Sequence, residues 1–526
     1  MDLSTLIEDT GIERTRGVID AVRICDITED SRTAMPGSLF VARTGTRERG
    51  SAHAHEAVAA GAVAILTDDP ALLDDPALLD DPPGGVCVLY AGDAAIVGGV
   101  LAERFYGAPS ASLALGAVTG TNGKTTVATL VDRILDHAGL RCGLIGTIEI
   151  DDGRERSRAA LTTPPGIELS RTLATMREHG CVACALEASS HALDQGRVAA
   201  LSIDAAAFTN LSGDHLDYHG DLASYTRAKT ALFRLLAPGA TAVVNADDPA
   251  SETMLGACAD GVSRVSCSTR DGSADWSGRF ERETIDGSVL GARTPLGDLT
   301  LDTPLFGEHN ASNLLVSMAL AHALMRTLGM GDDAIAAALR RAGPVCTLPR
   351  GRLERVDAPG DGVRVLVDFA HTDAALGAAL AGVRRVLPEG SGLWCVLGCG
   401  GDRDATKRPR MGRAACAGAD RVVVTSDNPR SERPDAIVSD ILGGIDDADR
   451  SRVEIHVDRA TAITHAIDAA RPGDTVLIAG KGHETEQISA GPGGSLTRIH
   501  FDDAEHARAA LAARRDRVAD AVGGRP

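Results

Sequence analysis

The stretch Leu113-Ala114-Leu115-Gly116-Ala117-Val118-Thr119-Gly120-Thr121-Asn122-Gly123-Lys124-Thr125-Thr126 decides the fold. Leu113–Val118 is an apolar run of strand length. The segment after the glycines places Val127, Leu130, Val131, Ile134 and Leu135 at i, i+3, i+4, i+7 and i+8, an amphipathic helix that Gly139 stops. A strand, a Gly-rich turn and Lys-Thr at a helix N-terminus form a phosphate cradle. Backbone N–H groups and the helix dipole face the anion, Lys124 meets the β- and γ-phosphates, and Thr125 ligates Mg²⁺. The general formula has a glycine where this chain has Val118. The reading is a nucleoside triphosphate site, with the work done by that energy still open.

Outward from this junction the chain alternates strands and helices, which implies an α/β protein with parallel sheets and ligand crevices at the strands' carboxyl ends. At 526 residues it exceeds one hydrophobic core. The pattern divides at 1–108, 109–348 and 349–526. The first region carries short strands at Leu39–Ala42 and Ala62–Leu66. It also holds a local duplication, Asp69–Asp74 followed by Asp75–Asp80, that reads as an acidic surface insertion. The third carries strands at Val363–Val367, Leu393–Leu397, Val422–Val424, Val453–Val457 and Val476–Ala479.

Aromatic residues make up 3% of the chain, so its cores must be built from Ala, Val, Leu and Ile. A net charge of -20 leaves no basic stripe for a nucleic-acid partner. The eleven cysteines follow no framework spacing, as in a reducing cytosol. Cys181 and Cys184 have redox-pair spacing but lie in an apolar run, where positions three apart face opposite ways, and read as small core residues. The N-terminus has no basic start and no apolar h-region, and Leu314–Met325 is too short to span a bilayer. A cytoplasmic protein without membrane insertion is expected.

Chemistry-bearing residues gather downstream of the phosphate turn. Glu187-Ala188-Ser189-Ser190-His191 follows a buried strand, where a carboxylate is placed to hold Mg²⁺. Asp214-His215-Leu216-Asp217-Tyr218-His219 follows. His215 and His219 have helical zinc-pair spacing, but no third ligand accompanies them.

Taken in order, these segments resemble the Mur ligase family. Gly120–Thr126, Glu187–His191, Thr209-Asn210-Leu211, Asn245–Asp248 and Gly307-Glu308-His309-Asn310-Ala311-Ser312-Asn313 are similar to its central region. Gly351-Arg352-Leu353-Glu354, Asp368–Thr372, Gly400–Asp404 and Gly480-Lys481-Gly482-His483-Glu484 continue the likeness. It begins at Asp30-Ser31-Arg32 and covers nearly the whole chain. The resemblance implies three domains: an N-terminal Rossmann-like domain for the uridine end of a substrate, a central P-loop ATPase domain, and a C-terminal Rossmann-like domain for an incoming amino acid. It implies an amide-bond-forming ligase. ATP converts a carboxylate, a poor electrophile, into an acyl phosphate that an amine then attacks.

By the same resemblance Lys124, Glu187, His215 and Lys229 are catalytic. Thr125, Glu187, His215 and a carbamylated Lys229 hold metal, and Gly120, Thr121, Asn122, Gly123, Lys124, Thr125, Thr126, Asn310 and Arg352 hold ATP. Ser31, Thr162, Thr163, Ser189, Gln195 and Arg197 would contact the UDP-N-acetylmuramoyl-L-alanyl-D-glutamate substrate. Asp427-Asn428-Pro429-Arg430 resembles the recognition motif for meso-diaminopimelate, with Arg403, Gly480 and Glu484 as further contacts. Diaminopimelate carries a far-end carboxylate where L-lysine has only an ammonium. A guanidinium at Arg430 would attract the first and repel the second. The rivals are lysine addition, glutamate addition to folate, and a non-catalytic nucleotide-binding homologue. The chain departs from the family at Phe369, at Asp373-Ala374 and in Arg47–His53. A monomer is expected.

Overall fold

The computed structural model describes residues 1–20, 22–45, 48–79 and 85–523. Arg47 and Asp80, which fall in two of the segments discussed above, lie outside the described residues.

Three α/β units follow one another. In the first, strands run in the order Arg14–Arg16, Cys87–Tyr90, Ala64–Thr67, Ser38–Ala42, Asp26–Thr28, with only the Arg14–Arg16 edge antiparallel. The duplicated segment is more than a surface insertion. It forms a 3₁₀ turn (Pro70–Asp74) and a helical turn (Pro76–Leu79), and drives Leu72, Leu73 and Leu78 into the core beneath them. The acidic residues only punctuate these turns; the leucines between them hold the segment down.

The central sheet has eleven strands. Its parallel heart places Ala114–Thr119 between Ala183–Glu187 and Ala205–Phe208, and antiparallel ribbons extend both edges. Hydrophobic clusters cover both faces. The helix after the phosphate turn spans Lys124–His137. Val127, Leu130, Val131, Ile134 and Leu135 are all buried, and Gly139 ends it at φ +83°. Each such aliphatic side chain contributes about 1.5–3 kcal/mol on burial, which fixes the helix to the sheet and aims its N-terminus. Cys181 precedes its strand rather than lying on it, so Cys181 and Cys184 reach the same apolar cluster instead of opposite faces; both are free and buried thiols.

The third sheet runs Glu354–Arg355, Arg364–Asp368, Thr475–Ala479, Leu393–Leu397, Arg421–Val424, Val453–Ile455, parallel except for the first pair. Apolar clusters line both faces here too. The last strand ends at Ile455, short of its apolar run, although the His456 N–H still donates to the Val424 carbonyl and the Val457 carbonyl accepts from the Ser426 N–H. A hairpin, Glu486–Ala490 with Leu496–His500, lies across the carboxyl ends of this sheet through the pairing of Arg430 with Ser489. Among the described residues, no helix is long and apolar enough to cross a membrane.

Candidate active site

The phosphate turn is held open by its neighbours. Gly123 caps the helix at φ +89°, and a Cβ there would sit 2.6 Å from the Asn313 Oδ1. Thr209 and Asn210, at the end of the adjacent strand, grip the turn from the side. The Thr209 hydroxyl and the Asn210 amide both donate to the Asn122 carbonyl (2.5 and 3.1 Å), while the Asn122 N–H donates to Asn210 Oδ1 at 3.0 Å.

Asn122, Gly123, Thr126, Asn310 and Arg352 line one cavity of about 490 Å³ between the central and C-terminal units. Arg352 lies over the Phe369 ring at 4.5 Å and donates to the Thr125 hydroxyl at 3.2 Å, while its buried Nε has no hydrogen-bond partner among the described residues. An orphaned buried guanidinium N–H beside a phosphate turn fits an anionic ligand.

At the floor of the turn, Lys124 and Lys229 both donate to the Gly120 carbonyl, at 2.9 and 2.7 Å. Lys229 is 1% exposed and packs over the Tyr225 ring. Burial, and then the charge of Lys124, push its pKa far below the ordinary lysine range. Two ammonium groups on one carbonyl repel each other; carbamylation of Lys229 would turn that repulsion into attraction.

Glu187, 1% exposed at its strand end, accepts from the Thr125 hydroxyl (2.9 Å) and from the Thr147 N–H (2.7 Å). These are hard oxygen donors, suited to Mg²⁺. His215 sits in the left-handed region at φ +54°. Burial lowers its pKa to about 4 against the opposing charge of Asp214, so the ring is neutral and free to ligate. His219 faces the Ser190 hydroxyl instead.

A second network continues toward the N-terminal unit. Thr163 donates to the Glu187 carbonyl and meets Ser189, while Thr162 bonds Thr147. Arg197 donates to the Thr163 carbonyl (2.7 Å) and to Gln195 (2.7 Å). Arg197 and Arg43 line one small pocket, and burial together with the Arg43 charge lowers the Arg197 pKa. Glu29 lines the same pocket and accepts from the Arg43 Nε at 2.7 Å. Ser31 stands apart, donating to Glu56 from the turn Ser31–Thr33.

A cavity of about 210 Å³ joins His215 to the C-terminal unit and is lined by Arg403, Asp427, Asn428, Arg430, Gly480 and Glu484. These residues come from three separate strand ends. Arg430 is also left-handed (φ +52°), which turns its guanidinium back to donate to the Gly401 carbonyl at 2.7 Å. Burial and the nearby Arg403 charge lower its pKa. Pro429 is buried behind the cavity wall.

The sequence reading missed Asp214 and His371 as site residues. Asp214 lies 3.6 Å from His215 and 3.5 Å from His371, bridging two units. Burial opposes its charge, but the His371 hydrogen bond and the surrounding cations hold its pKa far below the carboxylate range. Both residues stood inside quoted motifs; their pairing is a tertiary fact with no local signal.

Profiles of Mur ligases match in three consecutive segments: the Mur ligase family catalytic domain at residues 23–96, the Mur ligase middle domain at 118–321, and the Mur ligase glutamate ligase domain at 351–482. The chain belongs to the Mur ligase family. A relative from Gloeobacter violaceus, named UDP-N-acetylmuramoyl-L-alanyl-D-glutamate--2,6-diaminopimelate ligase, is 41% identical over 98% of this chain and 99% of its own length. A relative of the same name from Pseudomonas aeruginosa is 42% identical over 93% and 95%. A solved Mur ligase structure titled with that name superposes at a TM-score of 0.67, with 30% identity over 98% of this chain and 99% of its own.

Proposed function

We propose that this Mur ligase joins meso-diaminopimelate to UDP-N-acetylmuramoyl-L-alanyl-D-glutamate, using ATP, in peptidoglycan synthesis. The relatives' names support the reaction. The single observation in this chain that carries the acceptor is the pair Arg403 and Arg430 facing Asp427 and Glu484 in one cavity beside His215. Two guanidiniums and two carboxylates match the carboxylate and ammonium at the far end of diaminopimelate. Lysine has no carboxylate there to offer.

The proposed division of labour assigns 1–108 to the uridine end, 109–348 to ATP and 349–526 to the amino acid. Lys124 and the turn's N–H groups hold the β- and γ-phosphates, and Arg352 reaches them from the C-terminal unit. Thr163, Arg197 and Gln195 orient the substrate carboxylate. Its oxygen bonds to the γ-phosphorus as the bond to the β-γ bridging oxygen breaks, leaving ADP and an acyl phosphate. The neutral amine then attacks the carbonyl carbon, phosphate departs, and the amine's proton is lost to solvent. Thr125, Glu187, His215 and a carbamylated Lys229 would hold Mg²⁺, which supplies positive charge against the transferring phosphoryl oxygens. A cytoplasmic monomer is part of the proposal; one chain carrying all three subsites supports the monomer.

Arg430→Ala tests the acceptor. A lost charge-assisted bidentate contact is worth roughly 10- to 100-fold, so KM for diaminopimelate should rise by about that factor while KM for ATP stays within about twofold. An unchanged KM for diaminopimelate would count against the assignment.

A further inference from the structure

Lys481 lies under the amino-acid cavity rather than in its wall. Its side chain is 0% exposed, yet its ammonium donates to Asn428 Oδ1 at 2.9 Å and stands 3.6 Å from both Asp427 Oδ1 and Glu484 Oε2. Asn428 completes a bracket: its Nδ2 donates to Glu484 Oε2 at 2.7 Å, and its Oδ1 also accepts from the Ile488 N–H at 3.0 Å. Both ends of the Asn428 amide are therefore engaged within the protein. Gln487 Nε2 donates to the Asp427 carbonyl at 2.9 Å, so the hairpin braces the same loop from outside.

Backbone geometry confines Lys481 to this place. Gly480 is at φ +118° with room for no Cβ, since one would lie 2.6 Å from Asp427 Oδ2. Gly482 is at φ +56°, where a Cβ would lie 2.6 Å from Phe369 Cβ. The Gly-Lys-Gly turn is thus pressed between the amino-acid cavity and the Phe369 wall that carries Arg352.

We propose that Lys481 is a positioning residue for the incoming amino acid, acting through Asn428 to hold the Asp427 and Glu484 carboxylates together, ionised and aimed into the cavity. Two carboxylates in one buried site repel, and without a cation one of them protonates. Burial and the Asp427 charge already push Glu484 above its ordinary pKa, against the pull of Lys481. Burial opposes the Asp427 charge as well, but Lys481 and then Arg459 outweigh it and hold that carboxyl below its ordinary value. Arg459 is itself committed to Asp503 at 2.7 Å, and Arg430 acts on both carboxylates from the cavity side, so Lys481 is the fully buried cation that stands 3.6 Å from each. An ammonium of the substrate then meets a preformed pair of acceptors. The inference rests on the proposed diaminopimelate reaction.

The test compares wild type, Lys481→Met, Glu484→Gln and the double variant in steady-state kinetics with ATP, UDP-N-acetylmuramoyl-L-alanyl-D-glutamate and meso-diaminopimelate. Lys481→Met should raise KM for diaminopimelate by about 10- to 100-fold and leave the other two KM values within about twofold. Because Glu484 is one of the two carboxylates that Lys481 holds through Asn428, the double variant should fall well short of the product of the two single effects. Removing the Glu484 charge as well leaves Asp427, still beside Arg459 and Arg430, as the one carboxylate without its ammonium, so the double variant can be compared with Glu484→Gln even if Lys481→Met does not fold. Equal rises in all three KM values, or a fully multiplicative double variant, would overturn the positioning role. A wild type that does not turn over diaminopimelate would instead remove the underlying reaction and this inference with it.

Discussion

At the scale of single residues, Lys229 is the most informative side chain. It is buried, shares the Gly120 carbonyl with Lys124, and makes no salt bridge among the described residues. Burial and the Lys124 charge favour the uncharged form of this amine, and that is the form that adds carbon dioxide. Activity should therefore fall on prolonged depletion of carbon dioxide and return when bicarbonate is added, measured as phosphate release in degassed and replenished buffer. Activity indifferent to bicarbonate would count against a carbamate. From sequence alone Lys229 is an ordinary helical lysine. Its burial and its approach to Gly120 exist only once the helix Leu222–Arg234 packs behind the phosphate turn.

At the scale of elements, the strand–turn–helix around Gly120 sets the geometry of the whole site. Gly120 is at φ +148°, and a Cβ there would collide with the Thr209 hydroxyl that grips the turn. Gly120→Ala should cost about 1–3 kcal/mol of stability through strain and lower kcat/KM for ATP by at least about tenfold. Urea unfolding and steady-state kinetics check both halves; wild-type values in each would contradict the account. This element was legible because its signals are local: an apolar run, glycines, Lys-Thr and a 3.6-residue apolar period. Strands of the third sheet were legible for the same reason, Leu393–Leu397 to the residue. The hairpin Glu486–Ala490/Leu496–His500 escaped notice because four of its first five residues are only half-buried and its second strand is exposed, so no apolar run marks it. The acidic repeat misled for a related reason. Its aspartates bracket each copy, while three of the leucines between them decide its burial.

At the scale of the whole molecule, side chains join each unit to its neighbour along the chain. Arg352 of the C-terminal unit reaches Thr125 of the central one, His371 reaches Asp214, and Arg171 of the central unit donates to the Ile27 carbonyl of the N-terminal one at 2.8 Å. These residues are far apart in the chain, so their meeting could be anticipated only through family order, never from spacing. A nucleotide bridging two units stabilises both by linkage. Saturating ADP with Mg²⁺ should raise the melting temperature of the wild type, and Arg352→Ala should lose most of that rise, as read by differential scanning fluorimetry. An undiminished rise would place the nucleotide on the central unit alone. The central claim is tested most directly by phosphate release from ATP and Mg²⁺ with UDP-N-acetylmuramoyl-L-alanyl-D-glutamate, offered either meso-diaminopimelate or L-lysine. The account predicts release with diaminopimelate and little with lysine; release with neither, or with lysine alone, would contradict it.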